Sequence, residues 1–224
     1  MLRNLWPKTF RARWIAFVVF AASSSAAGFA LDDWAANLAA EPIRSGQMKA
    51  TLSALKFFGD GAPIVLLTLL AFAVAPHRKG AAGLALLAAL ATGLIVDQGK
   101  KLTARSRPWD TLPAPASESW HIAQNDGRNS SFPSGHSGTA FAFARGMSLA
   151  FPPVAPVAYA AAVGTALSRM HELRHYLSDC VVGGLLGWLV ATSLWRIRSA
   201  LLVRTRPVES SEEPPDVLPL TRSA

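Results

Sequence analysis

Lys100 with Arg107-Pro108, then Pro133-Ser134-Gly135-His136, then Ser168-Arg169 followed by His175 and Asp179 form three short polar clusters at the ends of apolar segments. Together they hold three fixed cations, two histidines and a carboxylate four residues from one of those histidines. Cations neutralise the equatorial oxygens of a transferring phosphoryl group, and arginine's planar fork adds two-pronged geometry. Lys100, Arg107 and Arg169 can supply that compensation. His175 and Asp179 share one face if a helix begins near them. A carboxylate on Nδ1–H then fixes the tautomer and presents Nε2 as a nucleophile. Backbone N–H groups at Ser134-Gly135, opening a helix, can cradle phosphate oxygens, and the Ser134 hydroxyl can add to them. The inventory fits metal-free phosphoryl transfer at a membrane surface.

The elements that must bring these clusters together are apolar. Hydrophobic residues make up 51% of the 224 and charged residues 16%, with the charges gathered between the apolar runs, as in a polytopic membrane protein. Six runs stand out, at about 14–31, 61–76, 80–98, 137–151, 154–168 and 179–196. Several fall short of the roughly 20 residues that usually span a bilayer, so they must recruit flanking residues or thin it locally. A soluble helical protein would show single apolar stripes, whereas these runs are apolar on every face.

The net charge of +8 does not make a nucleic-acid patch, because the basic residues are scattered. Arg3, Lys8, Arg11 and Arg13, the turn Arg78-Lys79, and Arg196, Arg198, Arg204 and Arg206 fall on one side if the chain crosses six times. The positive-inside rule makes that side cytoplasmic. Crossing parity then carries all three polar clusters to the opposite, extracytoplasmic face, expected to be the periplasmic side of a bacterial inner membrane.

The pattern Lys-x6-Arg-Pro, Pro-Ser-Gly-His, Ser-Arg-x5-His-x3-Asp resembles the signature of the type 2 phosphatidic acid phosphatase superfamily, which also includes vanadium haloperoxidases and some soluble acid phosphatases. With each specified position met by chance about one time in twenty, accidental agreement is negligible. The resemblance implies an all-α bundle of six transmembrane helices that removes phosphate from a lipid phosphate or pyrophosphate. It implies that His175 becomes a phosphohistidine, that Asp179 orients it, and that His136 protonates the leaving group and then activates water. Phosphate binding falls to Lys100, Arg107, Arg169, Ser134 and Gly135, with no metal and no other cofactor. A lipid phosphotransferase using the same phosphohistidine is the alternative within the enzyme class, and an inactive lipid-phosphate binder or transporter the one outside it.

The remaining features are weaker. Residues 32–60 read as a helical segment lying in the interface, either a collar that guides a lipid substrate or a packed connector. Gly183 and Gly187 form a small-xxx-small pair suited to packing within the bundle, with a homodimer as the lesser reading. Lys101, Arg105, Arg128 and Arg174 are basic neighbours expected to contact lipid headgroups. His121 and His171 lie outside the pattern, Cys180 cannot form an intramolecular disulfide, and Arg145 interrupts an apolar run, where snorkelling or pairing inside the bundle is simpler than substrate contact. The membrane domain is expected to cover 1–206, with 207–224 a disordered cytoplasmic tail. A cleaved leader is a competing reading of the first apolar run.

Overall fold

The first apolar run forms α1 (Lys8–Ala30), and the chain then bends by 54° into α2 (Asp32–Ala40). The computed structural model describes residues 8–41, 46–121 and 131–204, so Arg3, Arg128, Arg206 and the tail lie outside it. Next come α3 (Gly46–Leu55), a 3-10 turn at Lys56–Gly59 and, after a 69° bend, α4 (Gly61–Val74). A turn at Pro76–Arg78 leads into α5 (Lys79–Thr103). The outer loop contains α6 (Pro108–Thr111) and a 3-10 turn at Ala116–Ser119. The hairpin of α7 (Gly135–Ala150) and α8 (Ala155–His171) follows, and α9 (Leu177–Arg204) closes the chain. Among the described residues there is no strand, only an isolated antiparallel bridge between Arg105 and Trp120.

Two helices are long and apolar enough to cross a membrane, Pro76–Thr103 and Leu177–Leu202, or four if each bent pair counts as one span. Six crossings are not reached by this measure. The shortfall is physical: α4, α7 and α8 have 14, 16 and 17 residues. At about 1.5 Å per residue they reach ~21–26 Å, against a hydrocarbon core of about 30 Å.

The segment at 32–60 is not one interfacial helix but two short ones. Trp34 and Leu38 are exposed, as a lipid collar requires, yet Asp32, Ala35 and Ala36 are buried against the bundle. Asp32 is drawn in by a buried cation described below.

At the centre stands α7, packed against α5, α8 and α9. The contacts are made by small residues, with Ala82, Ala85, Ala142, Ala144 and Ala162 almost wholly buried, which lets helix backbones approach closely. A Cβ on Gly183 would overlap the Ser134 carbonyl, and one on Gly187 the Gly138 carbonyl. That glycine pair is therefore taken up inside the chain, between α7 and α9. Also on α9, Trp188 stacks on Phe17 of α1 with ring centroids 5.0 Å apart. Arg145 does pair within the bundle: its Nε donates to Thr192 Oγ1 at 3.0 Å and its guanidinium lies over Trp188. Between α4, α7 and α8 runs an apolar groove of about 370 Å³, lined by Phe58, Leu70, Val74, Phe143, Met147 and Val157 among others. Leu70, Val74 and Val157 are exposed, so the groove opens sideways.

Candidate active site

Each polar cluster sits where a helix begins or ends. Lys100 lies in the last turn of α5, where a cation complements the helix dipole, and Ala104, with φ 39°, turns the chain out of that helix. Ser134 is the N-cap of α7: its Oγ accepts from the Ser137 N–H and contacts the Ser137 hydroxyl at 3.1 Å. The side chain is fully buried in that role, so Ser134 serves the site by aiming the α7 N-terminus and the Gly135 amide. Arg169 lies in the last turn of α8, which closes through Leu173 at φ 53°. The Leu173 N–H donates to Met170 and the Arg174 N–H to Arg169, the double bond of a Schellman cap. A leucine in a left-handed conformation costs about 1–2 kcal/mol relative to glycine. This turn folds the chain back, so that His175 enters the site two residues later.

Main-chain bonds then tie the clusters to one another. Ser131 N–H donates to the Arg105 carbonyl, Ser134 N–H to the Asp179 carbonyl and Trp109 N–H to the Leu173 carbonyl. Lys100, Arg107 and Arg169 lie close enough for their charges to act on one another, and the charge of Lys100 acts on both His136 and His175. The structure thus gathers Lys100, Arg107, His136, Arg169, His175 and Asp179 into one electrostatic cluster. Burial and repulsion from Arg174 and Arg169 hold the Arg107 guanidinium below its ordinary range. Mutual repulsion of this kind is relieved by a bound dianion. Arg169 also reaches Glu172 Oε2 at 2.9 Å.

His175 is buried, and burial pulls its pKa below the usual imidazole value, partly opposed by Asp179. Burial thus favours the neutral form of the ring. Its Nδ1 is 3.5 Å from Asp179 Oδ2, beyond a well-formed hydrogen bond, and makes none.

The PAP2 superfamily model matches residues 81–202, just over half of the chain. The chain belongs to the PAP2 superfamily. The crystal structure of the first transmembrane PAP2 type phosphatidylglycerolphosphate phosphatase, from Bacillus subtilis, shares the fold, with a TM-score of 0.61 at 20% identity over 84% of this chain and 96% of that one. No curated protein matches.

Around the PAP2 signature the structure adds residues that sequence reading passed over. Arg105, expected at the lipid surface, is instead wholly buried. Its Nη1 donates to Asp179 Oδ1 at 2.6 Å and to Ser178 Oγ at 2.7 Å, Nη2 to Asp32 Oδ2 at 2.7 Å, and Nε to Ser119 Oγ at 2.9 Å. Trp120 and Tyr176 stack over its guanidinium plane. Two carboxylates share this one cation, which is why Asp32 leaves the interface. Asp179 Oδ2 also accepts from the Ser131 hydroxyl and from the Tyr176 N–H at 2.8 Å. The PAP2 aspartate is thus held by a frame drawn from four parts of the chain. Arg174 lies over exposed Trp109 at 3.9 Å, in keeping with a rim position, and Lys101 pairs with Asp97 at the surface. His121 bonds to Ser106.

Proposed function

We propose that this PAP2 protein is a membrane phosphatase that removes phosphate from a lipid phosphate or pyrophosphate through a phosphohistidine. The observation that carries the reading is the convergence of a buried His175 beside Asp179 with Lys100, Arg107 and Arg169. A binding protein needs the cations but has no use for a carboxylate-held nucleophile. The Bacillus subtilis protein of like fold is a phosphatase of a lipid phosphate, phosphatidylglycerolphosphate, and the apolar groove beside α4 has the character needed for a lipid tail.

In this reading the cations grip the phosphoryl oxygens, with amides at the α7 N-terminus completing the cradle. Nε2 of His175 attacks phosphorus while Asp179 takes Nδ1–H and stabilises the charge that develops on the ring. His136 gives a proton to the leaving group and then takes one from water, which frees His175. Phosphate release by purified protein in detergent from phosphatidic acid, phosphatidylglycerol phosphate and undecaprenyl pyrophosphate tests the reaction. Release from at least one should persist in EDTA and stop with vanadate, which adopts the geometry of the transition state. Activity lost in EDTA and restored by a divalent ion would overturn the metal-free mechanism.

The six-crossing topology, with the site on the extracytoplasmic side, is part of the same proposal. It is supported by the alternation of Arg78-Lys79 and Arg196-Arg198 with the motif-bearing ends of α5, α7 and α8. A cysteine at Ser117 in a Cys180→Ala background should react with a membrane-impermeant thiol reagent in intact spheroplasts. Labelling only after lysis would place the site in the cytoplasm.

A further inference from the structure

His136 has a partner that none of the three clusters contains. Asp60 stands at the N-cap of α4, where an aspartate ordinarily turns its carboxylate onto the free N–H groups of the first turn. Its backbone is extended as that role requires (φ −85°, ψ 149°), yet it makes no such bond. Its Oδ1 lies 2.9 Å from Nε2 of His136 instead.

The preceding segment is fastened so as to carry Asp60 there. Thr165 of α8 donates to the Leu55 carbonyl at 2.8 Å, and Thr139 of α7 donates to the Gly59 carbonyl at 2.7 Å. Gly59 sits so close to both helices that a Cβ would come within 2.7 Å of the His136 carbonyl oxygen and 2.8 Å of the Thr165 methyl. The charges facing the ring come from three elements. Burial pulls the pKa of the imidazole down, Arg169 on α8 and Lys100 on α5 add to that, and Asp60 at the head of α4 opposes them through its charge and its hydrogen bond.

We propose that Asp60 is the positioning residue of the acid–base step: it holds His136 through Nε2–H, fixes the tautomer and leaves Nδ1 to carry the proton in transit. The inference rests on the phosphohistidine reading above. In the first half-reaction the imidazolium gives its Nδ1 proton to the leaving oxygen as that P–O bond breaks and the bond from His175 to phosphorus forms. His136 is left neutral, with its remaining proton on Nε2 against Asp60. In the second, Nδ1 takes a proton from the attacking water as the new P–O bond forms and the P–N bond to His175 breaks. The imidazolium is restored, and the electron pair of the broken P–N bond returns to His175.

Asp60→Asn keeps the size of the side chain and removes its charge. On phosphatidic acid in detergent micelles, kcat should fall roughly ten- to a hundred-fold with KM nearly unchanged. The alkaline limb of the pH profile should move to lower pH, because a general acid without its anionic partner loses its proton sooner. On p-nitrophenyl phosphate the loss should be much smaller, since that phenolate leaves without protonation. Asp60→Glu should recover part of the activity. NMR of ring-labelled histidine, with the His136 signal among the five histidines identified from His136→Gln, gives a readout independent of turnover. In Asp60→Asn the His136 titration should shift to lower pH. An unshifted titration overturns the proposal, as does an equal loss on both substrates. If the wild type releases phosphate from none of the lipids, the phosphatase reading fails, and the His136 titration still decides the role of Asp60.

Discussion

His175→Ala is expected to lower phosphate release by roughly four orders of magnitude or more, the scale seen when a nucleophile that works as part of a unit is removed. The protein should remain folded. Nδ1 of His175 makes no hydrogen bond whose loss would leave a partner stranded, and Asp179 keeps Arg105, Ser131 and the Tyr176 N–H. Rates should therefore collapse while thermal unfolding in detergent changes little. Near-wild-type release from the variant would sink the phosphohistidine mechanism.

For Arg105→Ala the expected damage is to stability. The change leaves the carboxylates of Asp32 and Asp179 buried without their shared cation, and removing one partner of a buried ion pair costs about 3–5 kcal/mol. For a domain of this size that corresponds to a fall in Tm of roughly ten degrees. Arg105→Lys should be only a partial rescue, because a compact ammonium cannot reach Ser119, Ser178, Asp32 and Asp179 at once. An alanine variant as heat-stable as the wild type would show that the network contributes nothing to the fold.

The signature residues were legible because phosphoryl chemistry demands particular side chains at particular spacings, and Lys100, Arg107, Arg169, His136, His175 and Asp179 do converge. Arg105 was hidden by its company. Between Lys101 and Arg107 it looked like one more surface cation, and nothing local distinguishes a guanidinium that two distant carboxylates will draw inward. Asp32 and Asp60 were hidden for a related reason: each stands at the head of a helix, a position that aspartates fill for capping alone, and their partners lie 73 and 76 residues away. The all-helical architecture was readable from the apolar runs. The break in the segment at 32–60 was legible too, since Pro42 follows the first of its two helices and Gly46 opens the second, whereas the burial of Asp32 was not.

The contact of α7 with α9 at Gly183 and Gly187 bears on how such an enzyme can diversify. At those positions any side chain meets the backbone at the head of α7, the helix proposed to present the phosphate cradle, so that frame has almost no room for sequence drift. The groove is different, because its walls on α4 and α8 are side chains such as Leu70, Val74 and Val157 that face outward and can be exchanged for others of different bulk. On the proposed reading, in which the groove takes the lipid tail, new lipid preferences would arise by resculpting that wall, one residue at a time, without touching the polar clusters.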